Sequence, residues 1–435
     1  MDFPHVQLVR QTAPQPSVSD VAGEVRKQWL TSKTATRIKP GMKIAVGCGS
    51  RGIVNYPIIA KATIEALKEL GAKPFVVAAM GSHGGATADG QRELLASEGY
   101  HIDETHLGVP IVTDMDVVNI GNNSWGQPVW WDKNAMAADG VVTVSRVKPH
   151  TDFRGTFESG IVKMLVIGLG KRHGADQVHS FGPRGLKEMI PESGKVILAK
   201  TPFLGGLAIL ENAREETAKL EVVDRDDLWE REPQLLIEAR KLMGRLPFKA
   251  ADVLLIGECG KNYSGAGMDP GVIGRMLIEG SPEAETNDPK IIRIGVLDVS
   301  PESHGNATGI GLADLTTNRA IAGIVQGPFR MNNLTARSLW RSKLPFAFDT
   351  DREVIGACIE TCWQPDFSKV KFCAIPNTLE VVEMWVSAPL AADIKGAPHV
   401  EFVGDPQPLP FDADGNLLQE KLFPHSVRGR RLGHA

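Results

Sequence analysis

The chain has 435 residues, long enough for roughly two to three domains, and carries 48 Lys and Arg against 52 Asp and Glu for a formal net charge of -4. This balance excludes an electrostatic nucleic-acid binder; the only basic block, Arg428–Arg431, reads as a solvated terminus. No run approaches the ~20 apolar residues of a membrane span. MDFPHVQLVRQTAP lacks the apolar stretch of a signal peptide, so a cytoplasmic protein is expected.

Five cysteines (Cys48, Cys259, Cys358, Cys362 and Cys373) form no CxxC pair and no zinc site with ligand spacing, and are expected to be buried thiols. Residues 1–40 are mixed, with one helix predicted from Ser19 to Leu30. A strand over Lys43–Gly47 then leads into a glycine-flanked loop with Ser50 and Arg51. A helix over Tyr56–Leu70 ends at Gly71. A second strand, KPFVVAAM, opens into GSHGGAT with His83, and Thr87 caps the next helix. Short strands follow over Ile111–Ile120 and Pro128–Trp131. GVVTVSRVKP is a buried strand that ends beside His150. Further on come a helix over Pro183–Ile190, a strand over Lys195–Ala199 and a long charged helix over Asp226–Leu242. From Asp252 a second series begins, with glycine-rich loops carrying Lys261, Asn262, Asp269, Arg275, His304 and Asp314.

Alternating strand, glycine loop and helix implies α/β architecture with parallel sheets, whose ligands sit outside the carboxyl ends of the strands. Two α/β domains facing each other across a cleft are expected. They are divided as 1–247 and 248–435, with the last segment packing back on the first. Val147–Ser180 concentrates the candidate chemistry: His150, Lys163, His173 and His179 interrupt an otherwise apolar, glycine-rich run. Polar groups in an apolar wall are the usual make-up of a small-molecule pocket. A buried lysine must be paired, neutral or covalently used, or else snorkel to solvent. GLGKRHG is not a phosphate-binding GxxxxGK[ST] loop, and GCGSRG does not complete a GxGxxG dinucleotide fingerprint.

His150, then GTFESGIVK ending in Lys163, then His179 sixteen residues later, resemble the nickel-dependent lactate racemase family. His83 in GSHGGAT and Arg51 at the end of the first strand add to the likeness. The resemblance runs from about Lys43 to Arg275. It implies a 2-hydroxy acid racemase or epimerase with a nickel-pincer nucleotide supplied by cofactor-synthesis enzymes. His83 and His150 would be its catalytic bases. Lys163 would be the covalent tether, with Ser50, Gly168 and Gly170 as further cofactor contacts and His179 as the nickel ligand. Arg51 would hold the substrate carboxylate, helped by Lys261 or Arg275. Two imidazoles, one per substrate face, suit proton transfer near neutral pH.

The sequence departs from the family's lactate enzymes at Cys48, where they carry aspartate. It departs again at Thr151, Asp152, Phe153 and Arg154, where they carry an aromatic, apolar run. A polar wall disfavours lactate's methyl by ~1–3 kcal/mol per unpaired group. The expected substrate is therefore a sugar acid of the gluconate or mannonate type. The alternatives are a short-chain hydroxy acid racemase, a non-catalytic sugar-acid or nucleotide-binding protein, and a zinc hydrolase or lyase built on His83, His150 and His179.

Overall fold

The computed structural model describes residues 3–49, 52–97, 100–280 and 288–433. The chain divides into two compact units. One runs from Gln15 to Met243; the other combines Met1–Pro14 with Gly244–Ala435. The sequence-based boundary fell at 247 and placed the first residues in the N-terminal domain. They join the C-terminal unit instead, because Val6–Gln11 forms a strand, β1, whose Val6 and Val9 are fully buried.

Among its described residues, the unit from Gln15 holds a sheet of β2 (Lys43–Cys48), β3 (Lys73–Ala78), β4 (Ile111–Val112), β7 (Gly140–Arg146), β8 (Phe203–Glu211) and β9 (Thr217–Asp224). A separate hairpin pairs β5 (Val117–Asn122) with β6 (Pro128–Asp132). The sheet order is β4-β3-β2-β7-β8-β9, parallel except for β9. Both faces are covered, so the strands read as continuous apolar runs. Ile44 and Val46 face the core that Trp29 of α1 (Val21–Thr31) and Ile59, Ile64 and Leu67 of α2 (Tyr56–Glu69) help to fill. Ala45 and Val77 face the opposite core. Full burial of each such large apolar side chain contributes about 1.5–3 kcal/mol.

The remaining helices used below are α3 (Ala88–Ala96), α4 (Lys171–Ser180), α5 (Ile190–Lys200) and α6 (Leu228–Leu242). Lys195–Ala199 lies inside α5 and is not the expected strand. A short apolar run fits either period. Here helical spacing buries Ser193 and Ile197 together, and it brings Gly194 so close that an added Cβ would stand 2.9 Å from Val162 Cγ1.

Among the described residues of the other unit, the strands are β1, β10 (Ala250–Ile256), β11 (Lys290–Val296), β12 (Leu315–Thr317), β13 (Phe346–Phe348), β14 (Phe372–Ile375), β15 (Glu383–Ser387) and β16 (Val400–Gln407). They are ordered β13-β12-β11-β10-β14-β15-β1-β16, with β1 antiparallel to both its neighbours. Helix α7 (Asp351–Thr361) opens on a reciprocal Thr350/Glu353 cap. Cys358 on that helix and Cys362 at its end are fully buried in the same core as Val253 and Leu255, and all five cysteines are buried and unbridged. The basic tail is not simply solvated. Arg428 is buried and pairs with Glu258 (2.7 Å) and Asp298 (3.1 Å), while Arg431 reaches Glu258 and Glu302. No helix among the described residues is long and apolar enough to cross a membrane.

Candidate active site

In the N-terminal unit the strand order reverses between β2 and β7, the position at which an open α/β sheet forms a ligand crevice. A pocket lies there, with a mouth open to solvent. Gly49 after β2, His83 beyond β3 and Arg146 at the end of β7 all line it. Lys148, Ser159, Lys163 and Gly168 complete the chemically relevant wall.

The His83 loop is held from below by buried Gln91 of α3. Its amide donates to the carbonyls of Gly81 (3.0 Å) and His83 (3.3 Å). The turn after His83 requires glycine: Gly84 has φ +62, and a Cβ there would stand 2.5 Å from the Gly90 carbonyl carbon. His83 is thereby presented, exposed, at the pocket rim.

Beyond β7 the chain stays extended through Pro149, and Lys148 pairs with Ser159 by two backbone hydrogen bonds of 3.0 and 3.2 Å. Arg146, Lys148 and His150 therefore recur with the two-residue period of a strand. His150 is buried and its ring is fully engaged. Nδ1 accepts the Asp152 N–H at 3.0 Å, Nε2 lies 2.7 Å from Lys163 Nζ, and the Phe153 ring packs 4.7 Å away between centroids. The contact joins the lysine amine to an imidazole beside the pocket. Buried Glu158 fixes the loop. It accepts the N–H groups of His150 (2.6 Å) and Gly155 (3.0 Å) and pairs with Arg240 of α6.

Lys163 stands on a single helical turn, Ile161–Lys163, followed by a π-helical turn in which the Leu169 N–H reaches the Met164 carbonyl at 2.9 Å. Such turns mark functional positions more often than chance. Fully buried Glu232 of α6 caps the first turn, accepting the Val162 N–H at 3.0 Å. Burial raises its carboxyl from the ordinary 4.5 to about 7, against the lowering effect of the Val162 and Ile161 N–H groups. Gly160 leaves room for it: a Cβ there would meet Glu232 Oε1 at 2.4 Å.

The sequence-derived candidates separate clearly. His83, Lys163 and Gly168 line the pocket, and His150 joins them through Lys163. Ser50 and Arg51 lie outside the described residues. Gly170 is not on the pocket wall; its role is packing, since a Cβ would lie 2.1 Å from the Val166 carbonyl oxygen. His179, half-buried in the last turn of α4, does not line the pocket either. It does share a helix face with Ala175, whose Cβ would be 3.5 Å from a Cβ at Gly81, below the His83 loop.

Thr151, Asp152 and Arg154 build the turn rather than the pocket wall. Thr151 donates to Asp152 (2.8 Å), and the Arg154 guanidinium donates to the carbonyls of His150 and Phe153. In the other unit, Lys261 donates to Asn332 (2.7 Å), while Arg275 donates to the Leu312 carbonyl (2.8 Å) and pairs with Asp314 (3.0 Å).

Sequence reasoning missed Arg146, Lys148, Glu158 and Glu232. The first two carried a usable signal, the alternation in SRVKPH. The glutamates carried none, because their partners are defined by folding. The lysine of GLGK, Lys171, is structural: wholly buried, it pairs with Asp132 (3.0 Å) and donates to the Ala78 carbonyl (2.6 Å), and burial lowers its pKa against the pull of Asp132. Among the described residues, no cluster of three or more His, Cys, Asp or Glu side chains could hold a metal by itself.

This fold and crevice define an α/β protein with a lysine amine and an imidazole on the pocket wall at a sheet switch point, and a second imidazole in contact with that lysine. Residues 15–184 match the lactate racemase N-terminal domain. The chain is also similar in fold to the lactate racemase apoprotein from Thermoanaerobacterium thermosaccharolyticum, with a TM-score of 0.54 and 13% identity over 86% of this chain and 94% of that one. No curated protein matches the chain.

Proposed function

We propose that the protein is a racemase or epimerase that inverts C2 of a 2-hydroxy acid, with a nickel-pincer nucleotide held on Lys163. The observation that carries this reading is the Lys163–His150 contact of 2.7 Å in a crevice that His83 also lines. The residues present fit such a group in two respects. A lysine amine stands on the pocket wall, and His179 occupies the α4 face that turns toward the His83 loop.

When bound, the group supplies the hydride acceptor and donor for C2. The chain's own residues do the rest. One of His83 and His150 takes the proton of the C2 hydroxyl as the carbon becomes planar. The other returns a proton to that oxygen after reduction from the opposite face. Lys163 fixes the group, His179 ligates its metal, and the Glu158 and Glu232 carboxylates hold the backbone that carries His150 and Lys163. Maturation by cofactor-synthesis enzymes follows from the same reading.

For the substrate we favour a sugar acid. Thr151, Asp152 and Arg154 are turned into their own loop, so support comes from the polar side chains on the pocket wall: His83, Arg146, Lys148 and Ser159. A short-chain acid is the second reading, favoured by that inward turn. Incubating cofactor-loaded protein with gluconate, mannonate and lactate separates them. The account expects aldonate epimerisation at least about tenfold faster than lactate racemisation, the effect of one mismatched polar group. Efficient lactate turnover with inert aldonates would leave the short-chain reading standing.

A further inference from the structure

Arg146 closes β7 and lines the pocket. It pairs in register with Ile209 of the parallel strand β8, and Glu211 lies two residues further along that strand. Side chains two apart on a strand share a face, so Glu211 comes to stand beside Arg146. Both are largely buried, with side chains 19% and 13% exposed, and Arg146 Nη1 donates to Glu211 Oε2. The other carboxylate oxygen accepts the Val54 N–H at 2.8 Å, next to Ile53 on the pocket wall. Glu211 thus ties the end of β7, the end of β8 and the segment before α2 together at the edge of the crevice.

A guanidinium stays charged at any working pH and carries five N–H donors in a rigid plane. Glu211 engages one terminal nitrogen, which sets the orientation of that plane on the crevice wall. A fork held in one orientation is suited to bidentate recognition of a carboxylate or a phosphate. We propose that Arg146 is an oxyanion-binding residue of this pocket and that Glu211 is its positioning residue. The proposal rests on the hydroxy acid reading above for the source of the oxyanion, which is either the substrate carboxylate or the phosphate of the nucleotide.

In the test, oxalate stands in for the carboxylate and inorganic phosphate for the nucleotide's phosphate. Each is titrated calorimetrically into wild type, Arg146→Gln, Arg146→Lys, Glu211→Ala and the Arg146→Gln/Glu211→Ala double variant. All are measured as isolated and after cofactor loading, with thermal midpoints and intact masses recorded. Arg146→Gln should weaken one anion by at least about tenfold, the loss of a charged hydrogen-bonded contact. A loss for oxalate assigns the contact to the substrate; a loss for phosphate together with cofactor occupancy assigns it to the nucleotide. Unchanged affinity for both anions overturns the proposal. Glu211→Ala removes a negative charge from beside the wall, so charge alone would tighten anion binding. Positioning predicts the opposite: several-fold weaker binding, an effect that vanishes in the Arg146→Gln background. Tighter binding by Glu211→Ala overturns the positioning role. If Arg146→Gln does not fold, Arg146→Lys decides, because it keeps the charge and loses the fork. Anion affinity should then fall several-fold with the midpoint preserved, and unaltered affinity overturns the assignment. Should anion binding depend on Arg146 while loaded wild type inverts no 2-hydroxy acid, the subsite stands and the racemase reading fails. Should loaded wild type invert the acid while Arg146→Gln binds both anions as wild type does, that reading stands and the proposal fails.

Discussion

At the scale of single residues, the contact between His150 and Lys163 organises the chemistry. A lysine in an apolar wall is stable only if paired, neutral or bonded, and here it is paired with the His150 imidazole. Replacing His150 by Phe removes that partner. Lys163 acetylation by acetic anhydride at pH 7, followed by peptide mass analysis, should then slow several-fold; an unaltered rate would show that the ring does not set the amine's state. His83→Ala and His150→Ala in loaded protein should each lower turnover by about 10²–10⁴-fold, the usual contribution of a positioned acid or base, with melting temperature nearly unchanged for exposed His83. A loss below tenfold for His83→Ala would remove it from proton transfer.

At the scale of elements, the turn bearing Lys163 depends on a carboxylate seventy residues away in sequence. Glu232 has a folded pKa of about 7, above its ordinary 4.5. Between those values the unfolded chain is ionised while the folded one keeps its proton, so the folded state binds more protons and stability falls as pH rises from about 4.5 to about 7. The total is on the order of 3 kcal/mol. Glu232→Gln should flatten that segment of the denaturation profile measured against pH; an identical slope in the variant would contradict the assignment. Gly160→Ala should destabilise by about 1–3 kcal/mol, because its methyl meets Glu232 Oε1 at 2.4 Å.

These elements also show what could be read in advance. The ends of β2, β3 and β7 were legible because apolar runs stop at glycine or at Lys-Pro, and strand ends are where such sheets bind ligands. Lys163 and His150 were legible as polar groups in that setting. Glu232 and Glu158 were not, since a long-range cap leaves no local pattern. Thr151, Asp152 and Arg154 hydrogen-bond within their own turn, which polarity in a loop does not reveal. The helix over Ile190–Lys200 was misread because five apolar-rich residues carry no decisive period.

At the scale of the whole chain, the first strand belongs to the last unit. β1 fills the place between β15 and β16, so removing Met1–Pro14 opens two strand edges in the C-terminal unit. Amide exchange in Glu383–Ser387 and Val400–Gln407 should accelerate in that truncation, while Lys43–Cys48 and Gly140–Arg146 keep their protection. Uniform acceleration throughout would show that the two units do not unfold as separate bodies. The central claim concerns the fate of the C2 hydrogen, and the most direct measurement follows it. A 2-hydroxy acid labelled with deuterium at C2 is given to cofactor-loaded protein in ordinary water, and its epimer is analysed by mass. Internal return of a hydride predicts an inverted product that retains the label; an inverted product with the label washed out to solvent would mean enolisation and contradict the account.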